Sequence, residues 1–261
     1  MVELSQSQFP SVRHFLSGIK CDIVFGYSIV ENRQRGRVFA DDLNHPQTVL
    51  FWHYCGFAFV GGRHDNRNFN QTLGEFLRGT YEQDQRRISL FVNDTAWNKV
   101  IQQFIKDNPN IKIGELLRFH FNEKAFRGMS ASIPDGYTLR EMDEELIEKL
   151  QGHVIPSFSW HSSEAFLKGG KGYCLLDGGR IACNAFSASI GNQILDIGIE
   201  TMADYRMKGL AVPAAYAMVK YCLDNGFKPN WGCTAINIGS ARIAARLGFE
   251  VLDSHPVYSS P

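Results

Sequence analysis

The residues best suited to chemistry lie in one stretch, IGIETMADYRMKGLAVPAAYAMVKYCLDNG (197–226). An apolar, strand-like run ends at Glu200, a basic turn containing Gly209 follows, and a helix opens directly out of that turn. Pro213 limits where the helix can begin, because proline lacks an N–H and is tolerated in the first turn, where backbone donors have no intrahelical partner. The helix is therefore expected to start near Gly209–Leu210, leaving the N–H groups of residues 207–211 free at the positive end of its macrodipole. Gly209 lets a bulky anion approach the backbone, Ala211 keeps the next turn small, and Arg206 and Lys208 add positive charge. Such a cradle suits a phosphate or pyrophosphate better than a neutral ligand. The plainer alternative is a turn glycine between two solvated basic side chains. The place of the turn, after a strand and before a helix, favours the cradle.

Other chemistries lack their residues. The chain has no G-x-x-x-x-G-K-[ST], no G-x-G-x-x-G, no H-E-x-x-H and no G-x-S-x-G. P-loop, dinucleotide-binding, zinc-protease and serine-hydrolase readings therefore have no motif to rest on. The eight histidines are dispersed and none of the six cysteines forms C-x-x-C, so no metal is expected. Lys+Arg and Asp+Glu both total 27, which argues against a general polyanion binder such as a nucleic-acid-binding protein. The longest apolar-rich run, TVLFWHYCGFAFV (48–60), is too short to span a bilayer and contains His53. The opening MVELSQSQFP has no basic segment followed by an apolar one. With scattered thiols read as free and buried, a cytoplasmic protein is expected, with no membrane partner.

The elements that must position the turn can be read from periodicity. Up to residue 121, strands are expected over 37–42, 48–60, 87–93 and 111–121, and helices over 67–80 and 95–107. Turn-forming residues gather in EKAFRGMSASIPDGYTL (123–139), which places a domain boundary between 1–128 and 129–261. Beyond it come a strand (136–142), a helix (143–150), a short helix (162–168) capped by Ser162 or Ser163, and a hairpin (172–186) turning at Asp177-Gly178-Gly179. A central strand (192–201), the helix ending at Asn225-Gly226, a strand (229–235), a helix (237–249) capped by Asn237 or Ser240, and a last strand complete the chain. Hairpins mixed with helices make the class α+β, with a partly antiparallel sheet.

At this point the sequence resembles a family. RMKGLA matches the R/Q-x-x-G-x-G/A signature of the GNAT superfamily of acyl-CoA-dependent N-acyltransferases. NWGCTAINIGSARIAARLGFEVL resembles its closing half, where an Asn opens the helix and LGF ends it. The combination DIGIET…YRMKGLA…WGC…NIGS…LGF most resembles the zwittermicin A resistance-type acetyltransferases. The resemblance covers residues 136–258 well and the first half weakly. It implies a GNAT-type, mostly antiparallel sheet with flanking helices, preceded by a smaller α/β domain. That first domain, with VGGRHDNRNF (60–69) where the signature would stand, is either a degenerate copy of the same fold or an unrelated module.

The resemblance also assigns roles. The N–H groups of Met207, Lys208, Gly209, Leu210 and Ala211 would hold the pyrophosphate of acetyl-CoA, with Arg206 shaping the turn. Asn237 would touch the pantetheine arm or cap its helix, with Ser240 beside it. The acyl arm would lie between strands 193–201 and 229–235, and the N–H near Ile199 would polarise the thioester carbonyl. An alkyl amine must lose a proton before attack, which calls for a base. Glu200 is the first candidate and Asp196, four residues earlier and on the same face if no bulge intervenes, the second. A strand-end carboxylate paired with Arg206 is the competing reading of Glu200. The Tyr that many members carry seven residues after the Asn is Ala244 here, which leaves the general acid open among Cys233, Thr234, Tyr216 and water. Trp160 and Trp231 either line the acceptor pocket or pack. The expected activity is acetyl transfer to the primary amine of a small molecule; the alternative, which Ala244 favours, is an acyl-CoA sensor without turnover. An exposed sheet edge would allow a homodimer.

Overall fold

The computed structural model describes residues 1–79, 88–92, 94–106, 108 and 110–260. The ends of three expected elements, at 80, 87, 93 and 107, lie outside the described residues. The chain forms two compact units, Met1–Leu117 with Ser254–Pro261, and Arg118–Asp253.

The first unit begins with β1 (Val2–Glu3), α1 (Phe9–Val12) and α2 (Val24–Val30), continues through β2 (Gly36–Ala40), β3 (Thr48–His53), β4 (Phe57–Gly62), α3 (Arg67–Arg78), β5 (Ser89–Val92) and α4 (Thr95–Lys106), and enters β6 (Lys112–Phe121). β2, β3 and β4 are antiparallel neighbours, whereas β4 and β5 are parallel, with α3 as their crossover. The last residues of the final strand, β13 (Phe249–Ser259), extend this sheet by pairing with β5 from Val257 to Ser259. The run 48–60 is therefore not one strand: it turns at Cys55-Gly56, where Gly56 adopts φ +88°. Its turn carries no Asn-Gly or Asp-Gly signal, and both faces of the sheet are covered, so apolar residues run on without alternation. Phe25, Ile29, Phe51, Phe59 and Phe91 form the core on one face. Leu50, Trp52, Phe69, Phe76, Leu90 and Trp97 form the core on the other. The uninterrupted burial of α2 explains why its helical period is invisible in the sequence.

The second unit takes in the end of β6, α5 (Glu123–Arg127), β7 (Tyr137–Glu141), α6 (Glu144–Lys149), α7 (Ser163–Gly169), β8 (Gly172–Asp177), β9 (Arg180–Gly191), β10 (Ile194–Thr201), α8 (Ala211–Asp224), β11 (Lys228–Asn230), β12 (Gly232–Thr234), α9 (Ile238–Arg246) and the start of β13. The unit starts earlier than a cut at 128 because β6 runs on to Phe121 and residues 123–127, expected in the boundary, fold as α5. Its main sheet has the order β11-β10-β9-β8-β7, antiparallel except for β10 and β11. The sequence β9, β10, α8, β11 thus repeats the connectivity of β3, β4, α3, β5 in the first unit: a hairpin, then a helical crossover to a parallel neighbour. Buried Ala211, Ala215, Met218 and Cys222 pack α8 on one face of the sheet. On the other face, Phe186 of β9 meets Phe166 of α7 at 6.2 Å between rings.

His53, at the end of β3, is fully buried, and its Nδ1 accepts from the N–H of Cys55 at 3.2 Å. Burial pushes the His53 pKa down to about 3. A histidine depressed in the folded state stabilises most above its unfolded pKa, near 6.5, and the contribution fades as pH falls toward 3. Chemical denaturation from pH 7 to pH 4 is expected to show this as up to about 1.4 kcal/mol per pH unit, and His53→Gln should flatten that slope.

Candidate active site at the fork of the second sheet

The basic turn departs from ordinary helix entry in its backbone. Arg206 is extended (φ −66°, ψ 157°), Met207 and Gly209 adopt φ +63° and +76°, and Leu210 returns to right-handed helical angles. Alternation of this kind turns successive N–H groups toward one concavity. Arg206 N–H donates to Ala203 and Val212 N–H to Gly209. Between them, no acceptor among the described residues receives the N–H groups of residues 207–211. Helix α8 has no side-chain cap either, and Pro213 is its third residue. A non-glycine residue in the left-handed region costs roughly 1–3 kcal/mol, and Met207 holds that conformation with 94% of its surface exposed. Side chains brace the turn from below. Arg206 Nε donates to the Thr201 carbonyl at 3.1 Å, Tyr205 OH donates to Asp177 at 2.9 Å, and Lys208 Nζ lies 5.4 Å above the Tyr205 ring.

A fork lies beside this turn. β10 and β11 pair only from Ile194↔Lys228 to Asp196↔Asn230. After Trp231 the chain leaves for the neighbouring sheet, where β12 lies beside β6. The expected strand 229–235 is therefore two short strands in different sheets. Residues 197–201 of β10 keep β9 on one edge and, among the described residues, have no strand on the other. Lys228 N–H donates to the Gln193 carbonyl, and Met202 N–H donates to the Ala182 carbonyl of β9. Odd-numbered backbone groups of β10 thus point toward the fork and even-numbered ones toward β9. The Ile199 N–H points into the fork, as does the Thr201 carbonyl that holds Arg206.

The two candidate carboxylates are not brought together. The β-bulge at this level lies on β9, where Ala188 is the extra residue, so Asp196 and Glu200 remain on one face of β10. Four residues of strand separate them by about 13 Å. Asp196 accepts from Asn230 Nδ2 at 2.8 Å and so ties β10 to β11 where their pairing ends. Glu200 Oε2 accepts from the N–H groups of His153 and Val154 at 2.8 and 2.6 Å. In place of the competing pairing with Arg206, which bonds the Thr201 carbonyl, Glu200 makes these backbone contacts. Gly152, at φ +119°, makes the approach possible, since a Cβ there would lie 2.7 Å from Glu200 Cδ. Nothing in the sequence around Glu200 signals this loop 47 residues earlier; the positive-φ glycine is its only trace.

The remaining candidates divide between structure and site. Asn237 caps α9, its Oδ1 accepting from the Ser240 N–H at 3.1 Å. Ser240 Oγ accepts from Trp231 Nε1 at 3.0 Å, which fixes the indole at the fork. Trp160 is buried, donates to the Ser187 carbonyl and packs on Phe166, so it is a core residue rather than a pocket wall. Tyr216 OH donates to the Met129 carbonyl at 3.4 Å, and Ala244 faces the core. Burial raises the Cys233 thiol and pushes Cys174, Cys183 and Cys222 up to about 12, so none of these is a ready thiolate. Among the described residues, no three His, Cys, Asp or Glu side chains are grouped to hold a metal, and no helix is long and apolar enough to cross a membrane.

A mixed sheet that forks beside a helix opening from a donor-rich turn defines the architecture of the GNAT acyltransferases. Residues 13–258 match the family model for GNAT acetyltransferases, and the chain belongs to that family. It is 28% identical over 265 residues to an uncharacterized N-acetyltransferase of Bacillus subtilis (strain 168), YdfB, covering 99% of this chain and 98% of that protein. A GCN5-related N-acetyltransferase-like protein from Streptococcus suis 89/1591 shares the fold with a TM-score of 0.75 at 22% identity, over 97% of this chain and 98% of that one. A tandem GNAT protein from the clavulanic acid biosynthesis pathway aligns over 99% of this chain and 97% of its own, with a TM-score of 0.64 at 13% identity. The paired hairpin-and-crossover units described above agree with a tandem arrangement of GNAT-like domains.

Two glycines of the site separate sterics from backbone strain. A Cβ on Gly209 would meet nothing within 4 Å, so Gly209→Ala carries only the left-handed penalty, roughly 1–2 kcal/mol. Gly152→Ala should cost more in urea unfolding and should also speed hydrogen exchange at His153 and Val154, because its Cβ displaces the loop from Glu200.

Proposed function

We propose that this GNAT-family protein transfers the acetyl group of acetyl-CoA to the primary amine of a small molecule by direct attack, and that within the family it belongs with the zwittermicin A resistance-type acetyltransferases. The observation that carries the reading is the set of five N–H groups at 207–211, without acceptors among the described residues, at an uncapped helix start beside the fork. These donors and the positive helix end fit a pyrophosphate, with Arg206 holding the turn's shape and Lys208 adding charge. The first unit, read as a degenerate copy, differs at the equivalent point. Asn66 caps α3, its Oδ1 accepting from the Phe69 N–H at 3.1 Å. The equivalent helix end there is closed by its own side chain, which fits a domain that no longer binds cofactor.

Acetyl-CoA supplies an activated thioester. The fork beside Ile199 leaves room for an extended arm against an unpaired strand edge, and the Ile199 N–H is aimed to stabilise negative charge on a carbonyl oxygen. Glu200 would take the proton of the incoming ammonium through Oε1, the oxygen not bonded to the 153–154 loop. Asp196 serves the fork through Asn230, and Asn237 and Ser240 support its far wall through the α9 cap and Trp231. A thiol leaving group with a pKa near 8.5 can be protonated by water, so a buried Ala244 does not prevent turnover. Six free cysteines suit a reducing cytoplasm.

Ala244 supports a second reading, an acyl-CoA sensor that binds without turnover. Thermal-shift titration with acetyl-CoA should stabilise the wild type by about 2.7 kcal/mol at a hundredfold excess over Kd, and Gly209→Trp should abolish the shift. No stabilisation of the wild type would sink both readings. Release of CoA with an amine panel, lowered about 10²–10⁴-fold in Glu200→Gln, supports the enzyme; binding without release supports the sensor.

A further inference from the structure

Asn184 lies in the middle of β9 with none of its surface exposed. Its Oδ1 and Nδ2 are both buried, and neither makes a hydrogen bond among the described residues. A buried amide without partners is unfavourable, and native proteins keep few of them. Its position gives the reason. In the strand register Asn184 stands directly opposite Glu200 on β10 and Cys174 on β8, so the three side chains share one face of the sheet. The same face carries Phe186, which meets Phe166 of α7, and it is reached by the Gly152–Val154 loop through Glu200. Cys174 is an apolar neighbour with its thiol held protonated, and the polar side chain directly opposite Asn184 on β10 is Glu200. The Glu200 carboxylate is at present met by two N–H donors from a loop whose first two residues, Gly152 and His153, are exposed. Backbone donors on a carboxylate imitate the hydrogen-bonding pattern of an ammonium group.

We propose that Asn184 is the acceptor-binding residue beside Glu200: with the Gly152–Val154 loop lifted from the carboxylate, its amide meets a hydroxyl or carbonyl group close to the acceptor amine. The acceptors are then primary amines with a hydrogen-bonding group one or two carbons away, rather than plain alkylamines. This rests on the amine-acetylation reading above and narrows its substrate class. The residue's lack of internal partners is what a site built to be completed by substrate requires. Such sites discriminate strongly against analogues missing the polar group, because the protein's own amide is then left unpaired.

The test uses the full chain, acetyl-CoA, and two matched pairs of amines: 2-aminoethanol against propylamine, and glycinamide against isobutylamine. Free CoA is measured and kcat/KM compared within each pair. Because the amines differ in basicity, the deciding quantity is the change in that ratio between wild type and variant. Asn184→Val is expected to lower the preference for the polar member about tenfold or more, with the acetyl-CoA thermal shift unchanged. It should also melt no lower than wild type, since it removes a buried unpaired amide. A structural amide, for example one holding an internal water, predicts the reverse: a lower melting temperature and an unchanged ratio. Asn184→Ser, smaller and still polar, provides a folded comparison and should keep part of the preference. The proposal is overturned if the ratio is the same in wild type and Asn184→Val. It is equally overturned if acetyl-CoA binds and neither polar amine is acetylated. Failure of the wild type to bind acetyl-CoA removes instead the cofactor reading beneath it.

Discussion

A strand edge carries a row of N–H and C=O groups that must find partners, and the segment from Lys228 to Thr234 can pair with one sheet at a time. It spends three residues on β10, turns at Trp231, and spends three more in the other sheet. The open strand edge at the site follows from that division of backbone hydrogen bonds. The edge of β10 beyond Asp196 is left open, the odd-numbered groups of the strand face the opening, and the Thr201 carbonyl is free to hold Arg206. The fork is kept from closing or slipping by side chains at its crotch: Asp196 with Asn230, and Trp231 with Ser240.

Glu200 occupies the last stretch of the same strand and works in two directions. Through Oε2 it anchors a loop from an earlier part of the chain, and hydrogen bonds to a charged group are worth about 1.5–3 kcal/mol where they are shielded from water. Through its position it stands opposite Asn184 and one residue beyond Ile199. Gly198, between Asp196 and Glu200 on that face, leaves room for the Phe186 ring, which a Cβ would approach to 2.7 Å. The strand therefore alternates carboxylate, glycine, carboxylate for reasons of packing as well as chemistry.

Much of this was legible in the sequence because local rules govern it. Pro213 placed the helix start within one or two residues of the observed Leu210–Ala211 boundary, and the free donors followed from that placement alone. The cap of α9 is one of the two residues the sequence offers, Asn237 rather than Ser240, and Asp177-Gly178-Gly179 marks the hairpin. What escaped depended on distant partners or on burial from both sides. The 48–60 run hid its turn because neither face is solvated, and α2 hid its period for the same reason. The hold of Glu200 on residues 153 and 154 and the placing of Asn184 opposite Glu200 depend on long-range pairing, which no local pattern encodes.

On the proposed reading of the first unit as a degenerate copy, the contrast between the helix starts of α3 and α8 bears on how such a copy changes over time. A side-chain cap such as Asn66 adds about 1 kcal/mol to the domain that acquires it. An uncapped start such as Leu210 forgoes that stabilisation and leaves its donors unmet by a capping side chain. In a copy freed from selection for binding, a capping substitution is favoured on stability grounds alone, and reversing it is opposed on the same grounds. Loss of an anion site by this route resembles a ratchet: it needs no damaging mutation, and it leaves behind a better-made helix.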